Sequence, residues 1–309
     1  MPANSRRKNP FLLAPALVFV ILIFLVLVGF IDFDVKHSAS AYLLTALLTL
    51  IVFGVPTGIY VFCRGPRAIS GLGLRRISGR QLAVSAAGCA VMIFQSCILR
   101  LGIFPSSAGD STYALYGSSF SASASSVWEL LLEIFSLVLL PAFCEEVFFR
   151  GIVAYEYRFG GVAGAALMSS LLFAVIHLEF GQLPICFLNG LLLFFIGFLT
   201  GNLVCPILVH ALYNLFALFG ARYVYLLSSG PDSKVLFWLL LIALYLTSLV
   251  LLLFAAGRQL RSRAAAEDAP PVRVPRGKRP VVIYDMLSAP PFLLDLGCFL
   301  VFAVVNLFI

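Results

Sequence analysis

Long apolar runs alternate with short polar segments along the whole chain. A helix needs about 20 mostly apolar residues to cross a membrane, and the chain contains repeated runs of about that length. The runs are residues 11–31, 42–62, 82–104, 127–157, 162–178, 183–200, 204–227, 236–256 and 292–309. Hydrophobicity alone does not separate a span from an interfacial helix in the last run. The pattern therefore predicts an all-α fold, a polytopic transmembrane helical bundle of about eight or nine spans.

Composition excludes a soluble domain. Hydrophobic residues make up 61% of the chain and charged residues 11%, whereas soluble domains carry about 25% charged residues. The net charge of +7 does not indicate nucleic acid as a partner, because the basic residues lie in the short segments between apolar runs. The seven cysteines have no CxxC spacing, and we expect them to pack as small apolar side chains rather than to form disulfides.

The basic residues also predict an orientation. With a cytoplasmic N-terminus and nine crossings, the cytoplasmic segments hold all but four of the 21 Lys and Arg residues. The exceptions are Lys36, Arg100, Arg222 and Lys234. This asymmetry follows the positive-inside rule, so we expect a multi-pass protein of the cell membrane with its N-terminus in the cytoplasm. Three acidic residues near the outer face are expected to be solvated or interfacial: Glu129, Glu133 and Glu179.

Two adjacent glutamates and an arginine lie in the middle of the fourth apolar run: Glu145, Glu146 and Arg150. A charge inside a span costs roughly 2.5–3.5 kcal/mol on insertion scales, so such residues are functional candidates by default. Glu146 and Arg150 are four positions apart with the acid first, which favours an ion pair. Successive helix positions are about 100° apart, so Glu145 faces a different neighbour and is the glutamate available for reaction. Pro141 is expected to kink this helix.

Two other apolar runs carry histidines. His177 follows Phe173 by four positions, and His210 precedes Asn214 by four, so each pair shares a helix face. A desolvated carboxylate near a histidine can act as general base on a water. A histidine and an asparagine can donate hydrogen bonds to a developing oxyanion. These residue types suit hydrolysis. Two histidines and a glutamate can also bind zinc, although the chain has no HExxH motif.

Three spaced motifs in these runs resemble the CPBP family of intramembrane proteases, which includes the CAAX prenyl endopeptidases and the bacterial Abi proteins. EExxxR occurs as Glu145-Glu146-Val-Phe-Phe-Arg150, FxxxH as Phe173-Ala-Val-Ile-His177, and HxxxN as His210-Ala-Leu-Tyr-Asn214. The resemblance covers roughly residues 127–218.

The resemblance implies a mechanism and a set of site residues. The implied catalytic residues are Glu145, His177, His210 and Asn214, and the implied supporting residues are Glu146, Arg150 and Phe173. The glutamate and the first histidine would activate a water without a metal or other cofactor. The second histidine and the asparagine would form the oxyanion hole, in a site open to the cytoplasm.

We expect the chain to divide into three regions. Residues 1–126 form an N-terminal membrane region with three spans and an outer loop. Residues 127–227 form the catalytic core, in which about four helices carry the site. Residues 228–309 form the C-terminal spans, with a basic cytoplasmic linker at residues 258–280.

The expected function is that of an intramembrane endopeptidase. Its partners would be the lipid bilayer and a membrane protein or peptide substrate, with or without a lipid modification. Three alternatives stay open: a non-enzymatic bacteriocin-immunity or scaffold protein of the same fold, a zinc-dependent membrane protease and a transporter. Intact motifs disfavour the first, and a transporter should offer broken helices or a polar pathway at the membrane midplane.

Overall fold

A computed structural model describes residues 11–29, 39–65, 73–103, 126–228, 234–265 and 279–308. Within these ranges the backbone is helical and contains no β-strand, which confirms the predicted all-α class. The loop predicted at residues 105–126 and most of the predicted linker lie outside the described residues.

The helices follow the apolar runs. The first three are α1 (Leu13–Gly29), α2 (Ala39–Arg64) and α3 (Gly79–Ile98), and α3 continues as the π-helical segment Leu99–Ile103. Helices α4 to α6 lie within residues 127–156. The helices after them are α7 (Gly161–Val175), α8 (Leu183–Thr200), α9 (Val204–Phe219), α10 (Ala221–Ser228), α11 (Lys234–Ala265), α12 (Arg279–Leu287) and α13 (Pro290–Phe308). Local signals agree with several boundaries: Ser78 and Gln81 form a capping box at the start of α3, and Gly201 ends α8 in the left-handed conformation.

Residues 127–156 form the site helix, which alternates between α-helical and π-helical segments. Its α-helical segments are α4 (Val127–Ile134), α5 (Leu140–Glu146) and α6 (Ala154–Glu156), and its π-helical segments are Phe135–Leu139 and Val147–Val153. Pro141 lies in the first turn of α5, where the change of register accommodates its missing N–H. A 3₁₀ segment at Tyr157–Gly160 and the positive φ of Gly161, 75°, then separate the site helix from α7.

The predicted count of eight or nine spans is not confirmed. Among the described residues, five helices are long and apolar enough to cross a membrane, or up to seven if each of two bent pairs counts as one span. Val204–Phe219 and Ala221–Ser228 meet at 53°, and Val281–Leu287 and Pro290–Val305 meet at 49°. The multi-pass character is confirmed, while the number of crossings stays a prediction.

The helices around the site helix pack in a compact arrangement. α5 contacts α2 on one side and α9 on another, α7 packs along α8, and α3 packs against α8 and α9. At the end of the site helix, Glu156 accepts a hydrogen bond of 3.0 Å from Tyr60 Oη and forms an ion pair with Arg64. These contacts fix α2 against α6. All seven cysteines are free thiols, and four of them are buried as predicted, whereas Cys63 is exposed and does not pack in the core.

One of the three acids that the sequence predicts at the outer face lies in a different place in the structure. Glu133 has no exposed surface, because α4 packs against α2 and turns this residue toward that helix. Glu133 therefore lies inside the bundle, and the expectation of a solvated or interfacial position is wrong for it.

Close packing between α7 and α8 gives a prediction on stability. A Cβ at Gly190 would lie 3.0 Å from Ser170 Cβ and 3.1 Å from Ser170 Cα. Gly190→Ala should therefore destabilise the protein by about 1–3 kcal/mol, measured as a lower midpoint of thermal unfolding in detergent micelles. Gly197→Ala is the matched control in the same helix, because its nearest neighbour would be Pro206 Cγ at 3.4 Å. Equal midpoints for the two variants would contradict the packing described here.

Candidate active site

One cavity of about 110 Å³ collects the residues that the sequence singled out. Glu145 from α5, His177 from the turn that follows α7, and His210 and Asn214 from α9 all line it. Phe173 lines it as well. Three helices that are distant in sequence thus bring two histidines, a carboxylate and an amide to one enclosed space.

The predicted ion pair between Glu146 and Arg150 is confirmed. Arg150 Nη1 donates to Glu146 Oε1 at 2.7 Å, and the side chains are 3% and 0% exposed. Arg150 Nη2 also donates to the carbonyl oxygen of Gly190 at 3.0 Å. The Arg150 guanidinium lies 4.5 Å from the centre of the Phe173 ring, a cation–π distance. The cation is therefore held by α8 and α7 as well as by its own helix.

The two adjacent glutamates face different surroundings. Glu145 lines the cavity and its side chain keeps 13% of its surface exposed, whereas Glu146 is fully buried beside it. This is the division that the helical geometry predicts. Of the two carboxylates, Glu145 is the one that can reach a molecule in the cavity.

His210 lies between both glutamates, which the sequence does not predict. Its Nδ1 is 2.9 Å from Glu146 Oε1, and its Nε2 is 3.9 Å from Glu145 Oε2. An ionised carboxylate can only accept, so Nδ1 carries a hydrogen and donates to Glu146. Glu146 therefore orients the imidazole and leaves Nε2 on the cavity side.

His177 is oriented by its own helix. Its Nδ1 lies 2.9 Å from the carbonyl oxygen of Phe173. A carbonyl only accepts, so Nδ1 donates and the neutral ring keeps the Nε2 lone pair for the cavity. The Phe173 ring packs edge-on against both imidazoles, with centroids 5.0 Å from His177 and 5.8 Å from His210. Phe173 thus contacts both histidines and restricts the orientation of their rings.

Several polar residues of the cavity wall were missed by reasoning from the sequence. They are Arg100, Gln182, Asn189 and Tyr213. The charge distribution of the sequence indicates Arg100 only as a basic residue on the outer side. In the structure it lies in the π-helical end of α3 and donates to Gln182 Oε1 at 3.5 Å. Asn189 donates to Ser96 Oγ at 3.1 Å. An asparagine inside an apolar run was a signal that could have drawn attention to Asn189.

The structure also bears on metal ligation. No group of three or more His, Cys, Asp and Glu side chains is placed to share a metal ion in the ranges that the structure describes.

One part of the chain matches the model of a known protein family. Residues 127–216 match the family model described as type II CAAX prenyl endopeptidase Rce1-like. These residues are similar to a CAAX-protease-like membrane peptidase domain. The matched segment runs from the start of the site helix into α9 and includes all seven residues of the three motifs. It confirms the resemblance and the class of hydrolase acting on peptide bonds.

The match leaves the remainder of the chain without a family. It covers less than a third of the residues. No curated protein and no solved structure matches the chain. The CAAX-protease-like domain falls within the predicted core at residues 127–227, while the division of the chain into three regions stays a prediction.

Proposed function

We propose that the protein is an intramembrane endopeptidase in which Glu145 and His177 activate a water, while His210 and Asn214 stabilise the oxyanion. The observation that carries this proposal is the single cavity lined by all four side chains. Its volume of about 110 Å³ exceeds the space that one water needs. The cavity therefore has room for a water and the peptide group that it attacks.

The proposed reaction begins with proton transfer. Glu145, assisted by His177 Nε2, takes a proton from the water. At the same time the water oxygen attacks the carbonyl carbon of the scissile peptide bond. The electron pair of the carbonyl moves to oxygen and gives a tetrahedral oxyanion. When the C–N bond breaks, the proton returns to the leaving nitrogen, so the products are a carboxylic acid and an amine. General acid–base catalysis of this kind contributes typically 10²–10⁴-fold in rate.

The assigned role of His210 requires a particular protonation state. Its Nδ1 hydrogen is engaged by Glu146, so a hydrogen bond from Nε2 to the oxyanion needs a second hydrogen on the ring. Glu146 thus positions His210, and Arg150 forms the ion pair that holds Glu146 in place. The motif EExxxR thus supplies the general base, Glu145, and an ion pair that holds an oxyanion donor.

Asn214→Ala tests the oxyanion assignment. Loss of one preorganised donor lowers kcat by about 10²–10³-fold, while KM should change little because the interaction forms mainly in the transition state. The measurement is peptide cleavage by the purified protein, followed by mass spectrometry of a peptide pool with and without a prenylated C-terminal cysteine. A raised KM at unchanged kcat would contradict this role.

The cytoplasmic opening of the site is part of the proposal and rests on the distribution of basic residues. Cys63 offers a test, since it is an exposed thiol in the last turn of α2, the end that Arg64 ties to Glu156. A membrane-impermeant maleimide should label Cys63 in inside-out vesicles and not in right-side-out vesicles. The Cys63→Ser variant provides the background. Labelling only from the outer side would reverse the proposed orientation.

A further inference from the structure

A second, larger cavity lies between α3 and α11, away from the candidate active site. Its volume is about 1090 Å³, and it shares no lining residue with the catalytic cavity. The α3 wall is built from alanines: Ala83, Ala86, Ala87 and Ala90. The facing wall includes Leu251, Phe254 and Ala255 of α11. The small side chains on α3 leave an apolar groove along the helix pair, which we call the α3–α11 groove.

One end of the α3–α11 groove is basic. Arg80 and Arg258 line it there, together with Ser262. Arg80 Nη1 donates to Ser262 Oγ, and Ser262 follows Arg258 by four positions, on the same face of α11. Arg80 therefore contacts α11 at Ser262, Arg258 lies one turn earlier on the same helix face, and both arginines line the mouth of the groove.

Among the residues that the structure describes, no acidic side chain lines the groove beside this charge. α3 and α11 contain neither Asp nor Glu in their described ranges, and the described residues that line the groove include no carboxylate. The positive charge of the mouth is thus available for an external anion. The Arg258 guanidinium lies 5.7 Å from the Phe254 ring, which keeps it at the boundary between the apolar wall and the mouth.

We propose that the α3–α11 groove binds an anionic phospholipid, with its phosphate between Arg80 and Arg258 and one acyl chain along the alanine wall. The dimensions fit a lipid in one leaflet. Ten residues of α11 separate Arg258 from Ser248, which also lines the groove, and ten helical residues rise by about 15 Å. This is half of the roughly 30 Å hydrocarbon core of a bilayer.

The shape of the site favours a lipid over a soluble anion. A free phosphate would occupy only the mouth and would leave the apolar wall empty. A phospholipid fills both parts, and basic pockets between membrane helices are established sites for anionic headgroups. The proposal does not depend on peptidase activity, because the two cavities have separate walls.

The test is binding of defined lipids to the purified full-length protein, measured by native mass spectrometry. The protein is held in neutral detergent micelles and titrated with phosphatidylglycerol or phosphatidylcholine of the same acyl chains. We expect phosphatidylglycerol to bind roughly 30-fold more tightly, the ratio for two cationic contacts near a membrane surface. The double variant Arg80→Gln/Arg258→Gln should bring the two affinities to within a few-fold of each other.

Two further variants separate the headgroup from the groove. Arg261→Gln removes an exposed charge of α11 that does not line the groove, so the preference should remain. Ala86→Phe places a ring in the groove and leaves both arginines in place, so affinity for both lipids should fall at least tenfold. If the double variant proves unfolded in a thermal scan, Ala86→Phe carries the test.

Four results would overturn the proposal. They are equal binding of the two lipids to the wild type, full displacement of the lipid by millimolar inorganic phosphate, unchanged lipid binding by Ala86→Phe, and a protein dimer that occupies the groove and excludes lipid.

Discussion

Glu145→Gln should lower kcat for peptide hydrolysis by about 10²–10⁴-fold, the range for loss of a general base. The amide has nearly the shape of the carboxylate but cannot take a proton from the attacking water. KM should change little, since the substitution leaves the size of the cavity unaltered. The measurement is initial-rate cleavage of the peptide pool by purified protein in detergent micelles.

Two comparisons sharpen this prediction. Glu129→Gln changes a partly exposed acid in the first turn of α4, and it should retain wild-type activity. Glu145 and His177 are proposed to act on the same water, so the double variant Glu145→Gln/His177→Ala should lose little more than the Glu145 variant alone. Wild-type kcat in Glu145→Gln would remove this residue from the mechanism.

Arg150→Met should destabilise the protein by about 3–5 kcal/mol, the usual cost of removing one partner of a buried ion pair. Glu146 would lose its cationic partner in a fully buried position, and Gly190 would lose the donor to its carbonyl oxygen. The measurement is the free energy of unfolding in mixed micelles. Activity should fall as well, because Glu146 orients His210.

A double variant shows whether the stability lost in Arg150→Met comes from leaving Glu146 without its partner. Glu146→Leu/Arg150→Met removes both charges and should recover much of the lost stability, without recovering activity. Arg158→Met is a matched control, because its guanidinium stacks on the nearby Tyr155 and Phe159 rings and should cost about 1 kcal/mol or less. Arg150→Met stability equal to that of the control would contradict the buried pair.

Local features of the site followed from the sequence because they depend on helix periodicity alone. The Glu146–Arg150 pair is an i,i+4 contact, and the separate direction of Glu145 follows from the rotation per residue. The motifs also placed the histidines on other helices of the bundle. Apolar periodicity likewise gave the helical class and approximate helix boundaries.

The remaining features depend on how distant helices pack, which periodicity does not encode. The hydrogen bond between His210 and Glu146 joins residues 64 positions apart and requires α9 to lie against α5. Burial of Glu133 requires contact between α4 and α2. The run at residues 204–227 reads as one continuous span, but the helix bends by 53° where Gly220 separates α9 from α10.

The central claim is that Glu145 and His177 activate a water without a metal ion. Peptide cleavage by the purified wild type, before and after extensive chelation, tests it most directly, with Glu145→Gln treated in parallel as the blank. We expect cleavage to be unchanged by chelation and unaffected by added zinc. Cleavage that chelation abolishes and zinc restores would contradict it and identify a metalloprotease. Absence of cleavage in the wild type would point instead to the non-enzymatic alternative.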